Sequence, residues 1–130
     1  MEEKSYSKFL RIFLWLIGIH SVVVGILLVF LSTKSIEYFG VSNADSFFRI
    51  QAGVFHIAIS VAYFMAAIHP AKNKKLLIFI ITVKFIATFY LLIYYFAIEQ
   101  IWIIGLSAIA DFLMGLIVLL LYLKLTSCKK

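Results

Sequence analysis

Four ionisable residues interrupt long apolar segments of the sequence: His20, His56, Lys84 and Asp111. Each lies about 12–17 Å from one end of its segment, counted at about 1.5 Å per helical residue, so all four fall near the middle of a bilayer. A charged group at that depth costs about 2.5–3.5 kcal/mol, and such groups normally face a protein interior and find partners. The pattern predicts a small membrane bundle with a polar centre.

Lys84 and Asp111 have opposite charges and lie on segments joined by a very short turn. Helices joined in this way are neighbours, and pairing lowers the desolvation cost of both charges. Thr88 follows Lys84 by four residues, on the same helix face, where it can add a hydrogen bond. Two interpretations stay open: a buried pair that only sets the register of the two helices, or a site that handles a ligand or a proton.

The second segment carries a stripe of polar and small residues. Arg49, Gly53, His56 and Ser60 are spaced i, i+4, i+7 and i+11, which places them on one face of a helix. Arg49 lies near one end of the segment, where its guanidinium either snorkels to the interface or contacts an anion or lipid headgroup. The candidate residues for ligand binding or for a polar core are Arg49, His56, Lys84, Asp111 and His20.

Two histidines on different helices of a bundle can ligate a haem iron, so His20 and His56 permit a haem hypothesis. Histidine in a membrane bundle also serves as a hydrogen-bonding residue. The sequence contains no Glu-x-x-His motif, no phosphate loop and no nucleophile elbow. We therefore assign no catalytic residue and no metal site, and we expect no cofactor, with haem or a quinone as the alternatives.

Helices must position these residues, because the composition is that of a membrane protein. The 130 residues are 65% hydrophobic and 14% charged, whereas an average soluble domain is about 25% charged. Backbone groups in lipid must be satisfied internally, so apolar runs long enough to cross a core of about 30 Å form helices. The prediction is one all-α domain, residues 1–130, with four transmembrane helices in an antiparallel up-and-down bundle. The predicted spans are Phe9–Leu31, Phe47–Ile68, Leu76–Ala97 and Ile101–Leu123.

The basic residues indicate an orientation. Nine of them flank the predicted spans on one side: Lys4, Lys8, Arg11, Lys72, Lys74, Lys75, Lys124, Lys129 and Lys130. The positive-inside rule then places both termini in the cytoplasm. The high usage of Ile, Phe and Lys is typical of bacteria with low GC content, so we expect the chain in a bacterial inner membrane. The net charge of +6 is explained by topology, so we expect no nucleic-acid partner.

Single residues in the sequence predict a helix cap, a bend, a close helix contact and a free thiol. Asn43 or Asp45 can cap the second span, and Gly40 allows a bend in the long loop before it. Gly18 and Gly25 share a face of the first span, where small residues let helices approach closely. The lone cysteine, Cys128, excludes an intramolecular disulfide, and we expect a free thiol.

Several short motifs follow one another along the chain: Tyr38-Phe39-Gly40, Phe48-Arg49, Gly53, Ala66-Ala67-Ile68-His69-Pro70, and Asp111 near Gly115. With these motifs the layout resembles the DoxX-like superfamily of small four-helix bacterial membrane proteins. The resemblance implies a four-helix bundle, and some relatives are named for subunits linked to quinone-dependent sulfur oxidation. Only Arg49 and Asp111 carry over as polar positions of interest. The chain has no cysteine pair and no evident quinone motif, so the resemblance implies little chemistry.

Three functional interpretations follow from these observations. The leading one is a non-enzymatic accessory or structural subunit with a buried polar centre, whose partners are the lipid bilayer and a larger membrane complex or a second copy. The first alternative is a binding or transport protein for a small hydrophobic ligand such as a quinone or lipid. The second alternative is a haem-binding or quinone-linked electron-transfer subunit.

Overall fold

The computed structural model describes residues 2–41 and 45–127, and its regular structure in these residues is helical. The helices are α1 (Glu2–Phe30), α2 (Thr33–Glu37), α3 (Ser46–Ile68), α4 (Lys74–Ala97) and α5 (Trp102–Ser127). All but α2 are long and apolar enough to cross a membrane, which confirms the prediction of four helices of this length and composition. Asn43 and Cys128 lie outside the described residues.

The helices extend beyond the predicted spans at several ends. α1 begins at Glu2 instead of Phe9, and α5 continues to Ser127 instead of Leu123. A helix adds one hydrogen bond for each further residue, so it continues into polar sequence until a breaking signal stops it. The apolar run therefore predicts the part that a membrane would cover, and the helix continues beyond that part.

Side chains define the helix ends in the long connection between α1 and α3. The Asp45 carboxylate accepts a hydrogen bond from the backbone N–H of Phe47 at 2.8 Å, which confirms the predicted cap of α3. The loop before it forms one helical turn, α2, whose cap Ser32 accepts from the N–H of Ser35 at 3.2 Å. Gly40 then adopts a φ of 82°, a conformation that residues with a Cβ rarely take.

The long helices form two closely packed pairs. α1 packs against α3, and α4 packs against α5, while α3 and α4 make few contacts with one another. At the first pair a Cβ added to Gly25 would lie 2.7 Å from the carbonyl oxygen of Gly53, and a Cβ added to Gly53 would lie 2.7 Å from that of Gly25. Only glycine at both positions allows backbones to approach this closely, so the predicted role of Gly25 in packing is confirmed.

The hydrophobic core lies at one end of the bundle. Its buried members are Leu10, Leu14, Ile17, Tyr63, Ala66, Ala67, Leu77, Ile80, Ile81, Val118 and Leu125. These residues come from the first half of α1 and α4 and from the second half of α3 and α5, which are the halves nearest to the α3–α4 loop. The half nearest to α2 contributes no member to this cluster of described residues, and the candidate site begins where the core ends.

Candidate functional site

The charged pair predicted from the sequence forms between α4 and α5. The Lys84 Nζ donates to Asp111 Oδ1 at 2.5 Å, and the two side chains are 6% and 16% exposed. Gly115, one turn after Asp111, makes room for Lys84, because a Cβ there would lie 3.1 Å from the Lys84 Cβ. A charge-assisted hydrogen bond of this length is among the stronger kinds in proteins. The structure therefore confirms that the two charges pair.

Two further residues contact Lys84, one at its ammonium group and one at its backbone. The Nζ lies 5.5 Å from the ring centre of Tyr63 on α3, within the range of a cation–π interaction. Thr88 donates its hydroxyl hydrogen to the carbonyl oxygen of Lys84 at 2.9 Å and so bonds the backbone of its own helix. The Tyr63 contact connects the α4–α5 pair to α3, where Tyr63 is 2% exposed.

His56 lies half-buried on α3 and contacts α1 through Ser21, which is 2% exposed. The Ser21 hydroxyl donates to the backbone carbonyl oxygen of His56 at 2.9 Å and lies 3.4 Å from the Nδ1 of its ring. A hydroxyl between two helices in an apolar environment has few other partners, so this bond helps to hold α1 against α3.

The ring of His56 also lines a groove between α3 and α4. The groove has a volume of about 470 Å³ and is lined by Phe55, His56, Ala58, Ile59, Ala62, Phe79 and Val83. His56 is the one side chain in this lining with nitrogen atoms, and the other side chains are hydrocarbon. Such a site suits a molecule that is mostly apolar and carries a single hydrogen-bonding group.

The groove lies between two helices that pack loosely, since α3 and α4 make few contacts with one another. They are joined by residues 69–73, and close to this loop the Asn73 side chain donates to the carbonyl oxygen of Met65 at 3.0 Å. No loop in the described residues lines the opening. The groove is therefore open at the side of the bundle, on a surface that an embedded bundle presents to lipid.

Arg49 binds the end of α1 through its guanidinium group. Its Nη1 donates to the carbonyl oxygens of Leu28 at 2.5 Å and Leu31 at 2.8 Å, at the end of α1. The last carbonyls of a helix have no partner within that helix, so the guanidinium satisfies them and ties α1 to α3. Of the other residues in the stripe on α3, Gly53 also packs on α1, at Gly25. The Ser60 hydroxyl instead donates to the carbonyl oxygen of Ile57 in its own helix at 2.6 Å.

The five predicted residues make different contacts in the structure. Lys84 and Asp111 form the pair, His56 lines the groove, Arg49 caps α1, and His20 is exposed on α1. Consecutive residues of a helix point in different directions, and here Ser21 faces α3 whereas its neighbour His20 is exposed.

Two residues of the site were not among the sequence-predicted set. Tyr63 follows His56 by seven residues and so continues the stripe on α3, which is a signal that periodicity offers. Ser21 lies between Gly18 and Gly25 at helical spacing, on the face of small residues. Both positions carry a polar atom on a face that packs against another helix.

Comparison with known proteins identifies a family. The family described as "Domain of unknown function (DUF4345)" matches residues 9–90, a range that contains α2, α3 and most of α1 and α4. Lys84 lies inside the matched range and Asp111 outside it. No curated protein and no solved structure matches the chain, and the resemblance to the DoxX-like superfamily stays a prediction. Because the match covers more than half of the chain, the protein belongs to the DUF4345 family.

Proposed function

We propose that the chain is an integral protein of the bacterial inner membrane, with four antiparallel spans and both termini in the cytoplasm. The contacts between α1 and α3 support the antiparallel order, since Ser21 meets His56 and the later residue Leu28 meets the earlier residue Arg49. The nine basic residues that flank the spans at the termini and the α3–α4 loop support the orientation.

A membrane-impermeant maleimide tests the orientation. Cys128 should react only after the cells are permeabilised. A cysteine introduced at the exposed position of Lys34 on α2, as Lys34→Cys in a Cys128→Ser background, should react in intact cells. Reaction of Cys128 in intact cells, with protection of the cysteine on α2, would reverse the proposed orientation.

Within the membrane, the proposed function is non-enzymatic binding of a small hydrophobic ligand, such as a quinone or lipid, in the groove between α3 and α4. One observation carries this proposal: the groove is open to the side, its walls are apolar, and His56 supplies its hydrogen-bonding group. A ligand that diffuses in the bilayer can enter sideways without crossing water. Its polar head would then meet the imidazole while its apolar part lies along Phe55 and Phe79.

The ion pair has a structural role in this proposal. Lys84 and Asp111 satisfy each other at 2.5 Å, so neither charge needs a ligand to offset its burial. The pair holds α4 against α5 and, through the cation–π contact with Tyr63, supports the wall that α3 contributes. The ligand is bound beside this rigid element instead of by it.

Filling the groove tests the proposal. Ala62 lines the groove and its neighbour Val61 is 56% exposed on the outside of the same helix. Ala62→Phe should lower the affinity for a short-chain quinone more than tenfold in an equilibrium titration, whereas Val61→Phe, the matched control, should leave it unchanged. His56→Phe should lower it about two- to twelvefold, which corresponds to one hydrogen bond of about 0.5–1.5 kcal/mol. If Ala62→Phe binds the quinone and a lipid probe as well as the parent does, the groove is not the binding site.

A second candidate function, an accessory subunit of a membrane complex, is favoured by His20. Its side chain is exposed on α1 near the middle of the span, where contact with lipid alone is unfavourable for a polar group. A partner helix or a second copy would cover it. Gentle extraction followed by native electrophoresis should then show a complex that His20→Leu weakens, and migration as a single chain in both proteins would count against this function.

Native mass spectrometry and an absorption spectrum of the same sample separate these functions. A retained quinone or lipid supports binding in the groove, and a co-purifying protein supports the accessory subunit. A Soret band in protein made with ample haem would favour the electron-transfer alternative, with His20 and His56 as the residues to substitute.

A further inference from the structure

A second pocket lies at the opposite end of α3 from Arg49, where the start of α1 meets the α3–α4 loop. It has a volume of about 570 Å³ and is lined by Lys4, Ser7, Lys8, Arg11 and Ala71. The three cationic side chains are exposed and Ser7 is half-buried. Nothing in the binding groove or in the ion pair uses these residues, so the pocket needs its own explanation.

Helical spacing brings the cations of this pocket together. Lys4, Lys8 and Arg11 are four and three residues apart, which places them on one face of α1. Like charges at this spacing repel one another, and an anion among them removes the repulsion. A guanidinium, two ammonium groups and a hydroxyl together provide the donors that a phosphate group accepts from.

The surface next to the pocket is apolar. Directly after Arg11, the side chains of Ile12, Trp15 and Leu16 on α1 are exposed. A free phosphate ion has no apolar part that could contact this surface. A phospholipid has a phosphate at the interface and acyl chains farther into the membrane, which is the order of the cationic pocket and the apolar surface along α1. We propose that the pocket binds the phosphate of an anionic phospholipid, whose acyl chains lie along α1 past Trp15.

The fluorescence of Trp15 can report lipid that is bound at this site. Trp15 lies four residues after Arg11, and the other tryptophan, Trp102, lies at the start of α5. Trp102→Phe therefore leaves Trp15 as the one tryptophan. In phosphatidylcholine vesicles that contain a small fraction of phosphatidylglycerol with brominated chains, Trp15 fluorescence should be quenched more than by the same fraction of brominated phosphatidylcholine.

Substitution of the cations tests the pocket itself. A basic residue near an anionic surface contributes about 1 kcal/mol, or about fivefold in binding, so Lys4→Gln, Lys8→Gln and Arg11→Gln together should lower the relative binding constant for phosphatidylglycerol by up to about a hundredfold. The matched control is Lys74→Gln, Lys75→Gln and Lys124→Gln, which removes three exposed cations that do not line the pocket. The control triple should keep most of the preference.

Three results would overturn the proposal. An equal loss in both triple variants would mean that the lysines act as a diffuse surface charge. Release of the quenching by excess inorganic phosphate would make a free phosphate ion the ligand. Absence of any preference for phosphatidylglycerol in the parent protein would refute the site. This result needs no variant, so the test remains valid even if a triple variant fails to fold.

Discussion

The ion pair between Lys84 and Asp111 leads to a quantitative prediction about single and double substitutions. Removing one partner of a buried pair strands the other charge and costs about 3–5 kcal/mol, whereas replacing both by apolar residues is often neutral or stabilising. The Lys84 side chain is 6% exposed and that of Asp111 16%. Stranding the lysine is therefore the more costly change.

We expect Lys84→Met to lower the free energy of unfolding by about 3 kcal/mol and Asp111→Leu by about 4 kcal/mol, within the range for broken buried pairs. The double variant should lie within about 1 kcal/mol of the parent, because Met and Leu suit the apolar surroundings. The coupling free energy between the two substitutions is then several kcal/mol, which is larger than that usually found for residues in contact.

The measurement is reversible unfolding in mixed micelles, followed by circular dichroism for the parent, both single variants and the double variant. Lys34 and Glu37, exposed and three residues apart on α2, provide a matched control pair. Their substitution by Met and Leu, singly or together, should change the free energy of unfolding by about 0.5 kcal/mol or less. If the Lys84→Met, Asp111→Leu double variant loses the sum of the two single losses, the two side chains are not energetically coupled and the argument from stranded charges is wrong.

Two further predictions concern the contact between α1 and α3. Gly25→Ala should destabilise the protein by about 1–3 kcal/mol, since its Cβ would lie 2.7 Å from the backbone oxygen of Gly53. Thermal unfolding measures this loss, and the control is Gly105→Ala, whose Cβ would lie nearest to the ring of Tyr95, a side chain that can shift. A melting temperature of Gly25→Ala no lower than that of Gly105→Ala would contradict the prediction. Arg49→Leu should cost about 1.5–3 kcal/mol for the charged hydrogen bonds to the end of α1, with faster hydrogen exchange there. Exchange that stays as slow as in the parent would show that the guanidinium does not hold this end.

Several features followed directly from the order of residues. The four spans were predictable because hydropathy over consecutive residues decides whether a segment is stable in lipid, and no distant contact is needed. The pairing of Lys84 with Asp111 was predictable because the short turn between their helices makes them neighbours. The cap at Asp45 was predictable from local sequence as well, because its hydrogen bond joins residues that are two apart in the chain.

The direction of each polar side chain was decided by the tertiary structure. Counting along a helix predicts depth, but which face points inwards depends on the helices that pack beside it, and so His20 is exposed while Ser21 is buried. The use of Arg49 to cap α1 also depends on where another helix ends. The groove at His56 lies between α3 and α4, which make few contacts with one another. A space of this kind depends on how two helices pack, and no residue type marks it in the sequence.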